Sequence, residues 1–481
     1  MHDLIVIGED LSSYVAAAMA QRYGVNTALI AGNDYCGSCR IGGFTFNLDP
    51  LPATGFGVNQ TCLALLAELD IPVLERNCLL LNPAFQVILP RHRIDIFNEI
   101  EPLVAELVRE FPEDENEIYN IYSAVYKYTP LFEHWFRSHP FVQPSSFKDA
   151  YHYLKLLPYY FKQKLITGKL KKFLARNTSL HRVFEAQLAM LSCLENQLNA
   201  FSSFYLFAAP LRGVYYFQGG IQVFYKAILK SFLNTGGTYL TDSDIKNINN
   251  DRIAKVEVLR EDGTLAAMPA KNLIISNKSE AFNLVFKGEK KFISISDWLR
   301  PAKIKYLPFT IHLGIPEKCL PEKMSRHVAV ICNENKNIHD NNMIILAASM
   351  PEDEALAPKD KIALTATVFL PADTESWSEE SLQATALSIQ DNLEFFLPFL
   401  KENIEMLDIE KSIALSRKQK EVVSPKYQLK SSFITGFSAA NNKTRYKNVY
   451  LSGASLFGDN GFEGEIISGM NAASCVIGKA K

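Results

Sequence analysis

Cys36 and Cys39, in Cys36-Gly37-Ser38-Cys39, are the residue pair best spaced for redox chemistry. A Cys-x-x-Cys can depress one thiol's pKa and cycle as a dithiol. A zinc centre would need two further ligands, and no second Cys-x-x-Cys exists. Two unpaired thiols in a loop is the simpler reading and is preferred. The histidines add no chemistry: His92 sits in Arg91-His92-Arg93, and His134, His139 and His152 scatter, each read as structural. The stretch Leu154 to Arg176 carries seven Lys or Arg and no acid, interleaved with Leu, Tyr and Phe. A basic amphipathic segment can lie in a membrane interface, cations up and rings down. The solvated face of a core helix explains it nearly as well. An acidic protein or nucleic acid is a poorer third partner.

The chain around these residues has 481 residues, enough for two domains. A net charge of -2 gives no global attraction to nucleic acid, and none is expected as a partner. Eight scattered cysteines do not make a secreted disulfide framework; a cytoplasmic location fits them. No basic n-region precedes the first apolar run, and no run approaches ~18 residues, so nothing is expected to span a membrane. Leu4 to Ile7 is a short apolar run ending at Gly8. Helical spacing follows from Leu11 to Tyr23 and stops at Gly24, and Thr27 to Ile30 forms a second strand. Strand, helix, strand in about thirty residues is a βαβ unit, which implies a parallel sheet. The region 95–210 reads as mostly helical, Gln218 to Leu233 as a helix, and 303–430 as rich in strands. Further strands are expected at 238–240, 254–259, 273–275 and 449–451, and a last helix from about Gly464.

Four segments in order carry a resemblance. They are Asp3-Leu4-Ile5-Val6-Ile7-Gly8 with its helix; Gly43-Phe44-Thr45-Phe46-Asn47-Leu48-Asp49-Pro50; Gly213-Val214-Tyr215-Tyr216-Phe217-Gln218-Gly219-Gly220; and Val449-Tyr450-Leu451-Ser452-Gly453-Ala454 with Gly464 and Gly469. Together they resemble the phytoene desaturase family of FAD-dependent oxidoreductases, within the amine-oxidase-like superfamily. The resemblance implies an α/β, Rossmann-like FAD/NAD(P)-binding fold with a parallel sheet. It also implies a discontinuous cofactor domain of 1–75, 213–285 and 435–481, interleaved with an α+β substrate domain of 76–212 and 286–434. FAD would be the cofactor and a long apolar, isoprenoid or carotenoid-like molecule the substrate. The cofactor-binding positions would be Gly8, Asp10, Ser12, Ser13, Ala31, Gly43, Gly453, Ala454, Gly464 and Gly469. No catalytic acid or base, and no metal ligand, is singled out.

The dinucleotide fingerprint needs one glycine for the tight turn, a second for backbone approach to the pyrophosphate and a third for helix–strand packing. Here the order is Gly8-Glu9-Asp10-Leu11-Ser12-Ser13. Asp10 takes the second place and Ser13 the third. Ala31 stands where an acidic residue would hold the ribose, and Asp49-Pro50 where Gly-Pro is expected. A carboxylate ~5 Å from a phosphate charge costs about 3 kcal/mol at an effective dielectric of ~20, roughly two orders of magnitude in affinity. Asp10 also falls at a helix N-cap, where its own carboxylate can occupy the anion site. FAD retention is therefore expected to be weak.

Two functions stay open. One is flavin-dependent oxidation of an apolar substrate, with the basic segment 154–176 as a membrane-facing entrance that would make the protein peripheral on the membrane. The other is a cofactor-free binding protein for an apolar or prenylated partner, for which Rab GDP-dissociation inhibitors are a precedent on this fold.

Overall fold

The computed structural model describes residues 1–31, 36–72, 77–138, 178–195, 203–241, 244–250, 254–259, 264–276, 303–428, 442–444, 446–456 and 460–480, with positions 151, 154, 155, 158, 161, 279, 284 and 285. Most of the basic stretch 154–176 lies outside the described residues.

The strands His2–Ile7, Thr27–Ile30, Leu265–Ser276 and Val449–Ser452 share one seven-stranded sheet and run parallel, as their sequences predict. Thr238–Leu240 adds a parallel strand at one edge; Ala254–Leu259 and Asp244–Asn250 complete the other side antiparallel. Leu4, Ile5 and Val6 are fully buried, which explains a run of apolar residues without alternation. The first helix, Leu11–Arg22, is buried along Leu11 to Ala20. It packs on the C-terminal helix Gly461–Ala480 and on the helix Gln222–Asn234. Its small residues Ala16, Ala17, Ala18 and Ala20 suit close contact on several sides at once.

An eight-stranded sheet forms a second layer system. Its order runs Met406–Leu407, Lys303–Pro316, Lys361–Pro371, Met343–Ala348, His327–Ile331, Phe85–Ile88 and Arg93–Ile96, with Lys426–Gln428 also on the second strand. The helix Glu379–Phe396 buries Leu382, Ala386, Ile389, Leu393 and Phe396 against it, a stripe at helical spacing. Ser378 caps that helix, accepting from the Ser381 N–H at 3.2 Å.

Three sequence expectations shift at their edges. The helix expected from Gln218 starts at Gln222, because Gly219 and Gly220 adopt positive φ and turn the chain first. The Gly219 N–H is spent on Asp353 Oδ2 at 2.8 Å, outside any helix ladder. The helical region begins at Ile100, since Arg93–Ile96 pairs as an edge strand. The strand-rich region 303–430 also holds the helices Glu379–Phe396 and Ile409–Gln419. Among the described residues, no helix is long and apolar enough to cross a membrane.

Candidate functional site

The place where a dinucleotide phosphate would sit is the turn between the first strand and the first helix. Gly8 ends the strand at the sheet's C-terminal edge, and Asp10 is the N-cap of the helix. The Asp10 side chain is buried, with 2 % exposure, and accepts four hydrogen bonds. Oδ1 accepts from Ser12 Oγ at 2.9 Å, from the Ser13 N–H at 3.1 Å and from Ser13 Oγ at 2.7 Å. Oδ2 accepts from Ser276 Oγ at 2.6 Å. All three serines are fully buried. Among the described residues no ion pair joins a basic side chain to Asp10; the hydroxyls and the helix N-terminus answer its charge.

The surviving first glycine belongs to this arrangement. A Cβ on Gly8 would come within 2.3 Å of Ser13 Oγ and 2.6 Å of the Ser276 Cβ. The serine in the third fingerprint place and the serine ending the neighbouring strand thus leave room only for glycine. Ser276 is a member of this site that no motif in the sequence marks. Its signal was available: it follows the apolar run Leu273–Ile275, so the parallel register brings it to the same sheet edge as Gly8.

Ala31 directly follows the second strand, fully buried, and its N–H donates to the Leu240 carbonyl at 2.9 Å. A methyl group there offers a ribose hydroxyl no acceptor. Asp49 is likewise engaged within the protein: Oδ1 accepts from the Leu51 N–H at 2.9 Å and Oδ2 from Ser424 Oγ at 2.5 Å.

The remaining candidates fall in different surroundings. Gly43 lies in the exposed turn of the Ser38–Ile41/Phe44–Asn47 hairpin, beside Gly42, both at positive φ. Gly453 ends the last strand of the parallel sheet and donates its N–H to Ser468 Oγ at 3.0 Å; Ala454 is buried in the turn after it. Gly464 is buried in the C-terminal helix. Gly469 sits where that helix meets the first: a Cβ there would lie 2.4 Å from the Ser12 carbonyl oxygen. It lets two helices touch, the packing duty that the fingerprint's third glycine has elsewhere. Cys36 is buried, and half-buried Cys39 has its thiol pushed up to about 12 by desolvation. Burial thus opposes the thiolate a redox dithiol needs.

Next to this corner lies a small cavity bordered by Leu11, Asn47, Asp49, Tyr216, Tyr225 and Gly461. Its volume is ≈ 40 Å³, room for on the order of three waters. Among the described residues, those at this corner do not fit an FAD: a saturated carboxylate holds the phosphate place, an alanine the ribose place, and the adjoining space is small.

No family model and no curated protein matches the chain. Solved structures do. Putrescine oxidase bound to putrescine superposes with a TM-score of 0.63 at 12% identity, covering 99% of each chain. An oxidoreductase from Methanosarcina mazei gives 0.59 at 13%, covering 97% of this chain and 98% of the other. A RAB GDI from Plasmodium falciparum gives 0.56 at 12%, covering 99% and 98%. The chain shares its α/β fold, of the kind seen in FAD-binding oxidoreductases, with these structures along its whole length.

Proposed function

We propose that this chain uses the flavoprotein fold without the dinucleotide, as a binding protein for a long apolar or prenylated partner. One observation carries the first half of this reading. The Asp10 carboxylate accepts four hydrogen bonds in the place of a pyrophosphate. A phosphate arriving there would meet a buried negative charge and find the Ser13 N–H already used. The likeness to a RAB GDI supports the second half, since the fold then serves a protein named for inhibition and not for oxidation. The basic and aromatic segment 154–176 would supply a membrane-facing entrance for such a partner.

Purification tests the reading. The wild-type protein should come off the column colourless and should take up no FAD at micromolar concentration. Replacing Asp10→Gly, Ser13→Gly and Ala31→Glu together should raise FAD affinity by roughly two orders of magnitude, from removal of the charge repulsion alone. A yellow wild type with stoichiometric flavin overturns the proposal. That result would favour a second reading, flavin-dependent oxidation of an apolar substrate. One feature supports it: the Gly453 turn and the long helix Gly461–Ala480 keep the C-terminal pattern of the family.

A further inference from the structure

A second cavity lies far along the chain from the Asp10 corner, on one face of the eight-stranded sheet. Its volume is ≈ 250 Å³, larger than the ~150 Å³ apolar cavity that suffices for benzene. Ile88, Val330 and Leu346 form its floor, on three neighbouring strands and on one face by register. Phe396 and Leu397, at the end of the helix Glu379–Phe396, line one side, and Met324 another. Those six side chains are apolar, and Gln86, two residues before Ile88 on the same face, adds a polar side chain to the lining.

The rim is charged, and its charges are unequally engaged. Glu106 accepts from Arg109 Nη2 at 2.6 Å and from the Asp95 N–H at 3.2 Å, and Arg109 also meets Glu110 at 2.5 Å. Asp95 accepts from Gln86 Nε2 at 2.5 Å. Arg93 and Lys323 line the same cavity, and among the described residues neither has a carboxylate in ion-pair range. Two unpaired cations above an apolar floor complement a molecule with an anionic head and an alkyl tail. Phe395 and Phe399, 71% and 68% exposed, flank the lining pair Phe396 and Leu397 in sequence and extend apolar surface outward.

We propose that this cavity binds an anionic amphiphile, a carboxylate on an alkyl chain of about eight carbons, sized against the cavity volume. Arg93 would take the carboxylate as a bidentate pair and Lys323 as a point charge. The tail would lie against Ile88, Met324 and Phe396, the apolar lining side chains that keep some accessible surface. This site shares no residue with the Asp10 corner and does not depend on whether flavin binds.

Titration calorimetry with octanoate, butyrate and octan-1-ol tests the proposal on the wild type and on an Arg93→Glu/Lys323→Glu variant. Arg93 and Lys323 are exposed, so the variant should melt with the wild type. Octanoate should bind at least tenfold tighter than butyrate and than octan-1-ol. The double variant should weaken octanoate at least tenfold and leave octan-1-ol unchanged. Octanoate that does not bind, or that binds the variant equally, overturns the proposal. Sedimentation with phosphatidylserine vesicles then separates two sources of the same chemistry. Vesicle binding that octanoate displaces assigns a bilayer lipid, and octanoate binding without vesicle binding assigns a free carboxylate; either supports the site.

Discussion

Two buried ions answer two helix ends in opposite ways. Asp10 caps the N-terminus of the first helix, where backbone N–H groups point outward. Lys426 sits at the other kind of end. Fully buried, it donates to the carbonyl of Ala189 at 2.6 Å and to that of Ser192, at the C-terminus of the helix Thr178–Leu191. Its ammonium also lies 4.6 Å from the Phe369 ring centre. The physics is the same in mirror image: an anion at the positive end of a helix, a cation at the negative end. The partners differ in origin. Three of the four bonds to Asp10 come from residues two or three positions away. The carbonyls that hold Lys426 lie more than two hundred residues upstream. Asp10 is also the better satisfied. Desolvation lowers the Lys426 pKa to about 8.

The comparison breaks most sharply at Asp10. Asp10→Ala removes the acceptor of three buried hydroxyls and of a helix N–H. It should cost about 4 kcal/mol in chemical denaturation, combining a lost cap with lost charge-assisted bonds. Asp10→Asn keeps an acceptor oxygen and should recover part of that loss. A loss under about 1 kcal/mol for Asp10→Ala would mean that the carboxylate is not what holds the corner together.

The next effect is pH-dependent. Lys426 has a folded pKa of about 8 against an ordinary value of 10.5. Between these values the unfolded chain binds more protons than the folded one, so this lysine makes folding more favourable as pH rises. Relative to a Lys426→Met variant, the wild type should gain up to about 3 kcal/mol between pH 8 and 10.5. Parallel stability curves for the two proteins across that window would contradict the burial assigned to Lys426. At pH 7 the same substitution should cost a smaller amount, about 2 kcal/mol. Two helix carbonyls lose their donor, while the desolvation of the ammonium is relieved. A more stable Met variant would show that the buried charge outweighs its bonds.

Ser276→Ala is the smallest step. It removes one of the four donors to Asp10 while the other three remain, and should cost about 1 kcal/mol. Combined with Asp10→Ala, it should add little more, because the two side chains form one unit.

Much of the parallel sheet was legible because buried parallel strands read as unbroken apolar runs: Leu4 to Ile7, Thr27 to Ile30, Leu273 to Ile275 and Val449 to Leu451. The strand-to-helix corner was legible for a local reason. N-caps work over two or three residues, so Asp10, Ser12 and Ser13 announce their contacts in their spacing. The start of the Gln222–Asn234 helix is not legible locally, because Asp353 and Asn47, distant in sequence, hold the Gly219 and Ile221 N–H groups.

Residue identity alone puts an acid at the start of the first helix, where the dinucleotide fingerprint has a glycine. It also fixes Ala31 directly after the second strand, with no acceptor for a ribose. Both depend on residue identity at positions that local periodicity locates. The closing of Ser276 over Asp10, the helix contact at Gly469 and the hold of Lys426 on a distant helix end arise from the packed fold. Those contacts form between segments hundreds of residues apart, and sheet register and helix packing, which no local pattern encodes, bring them together.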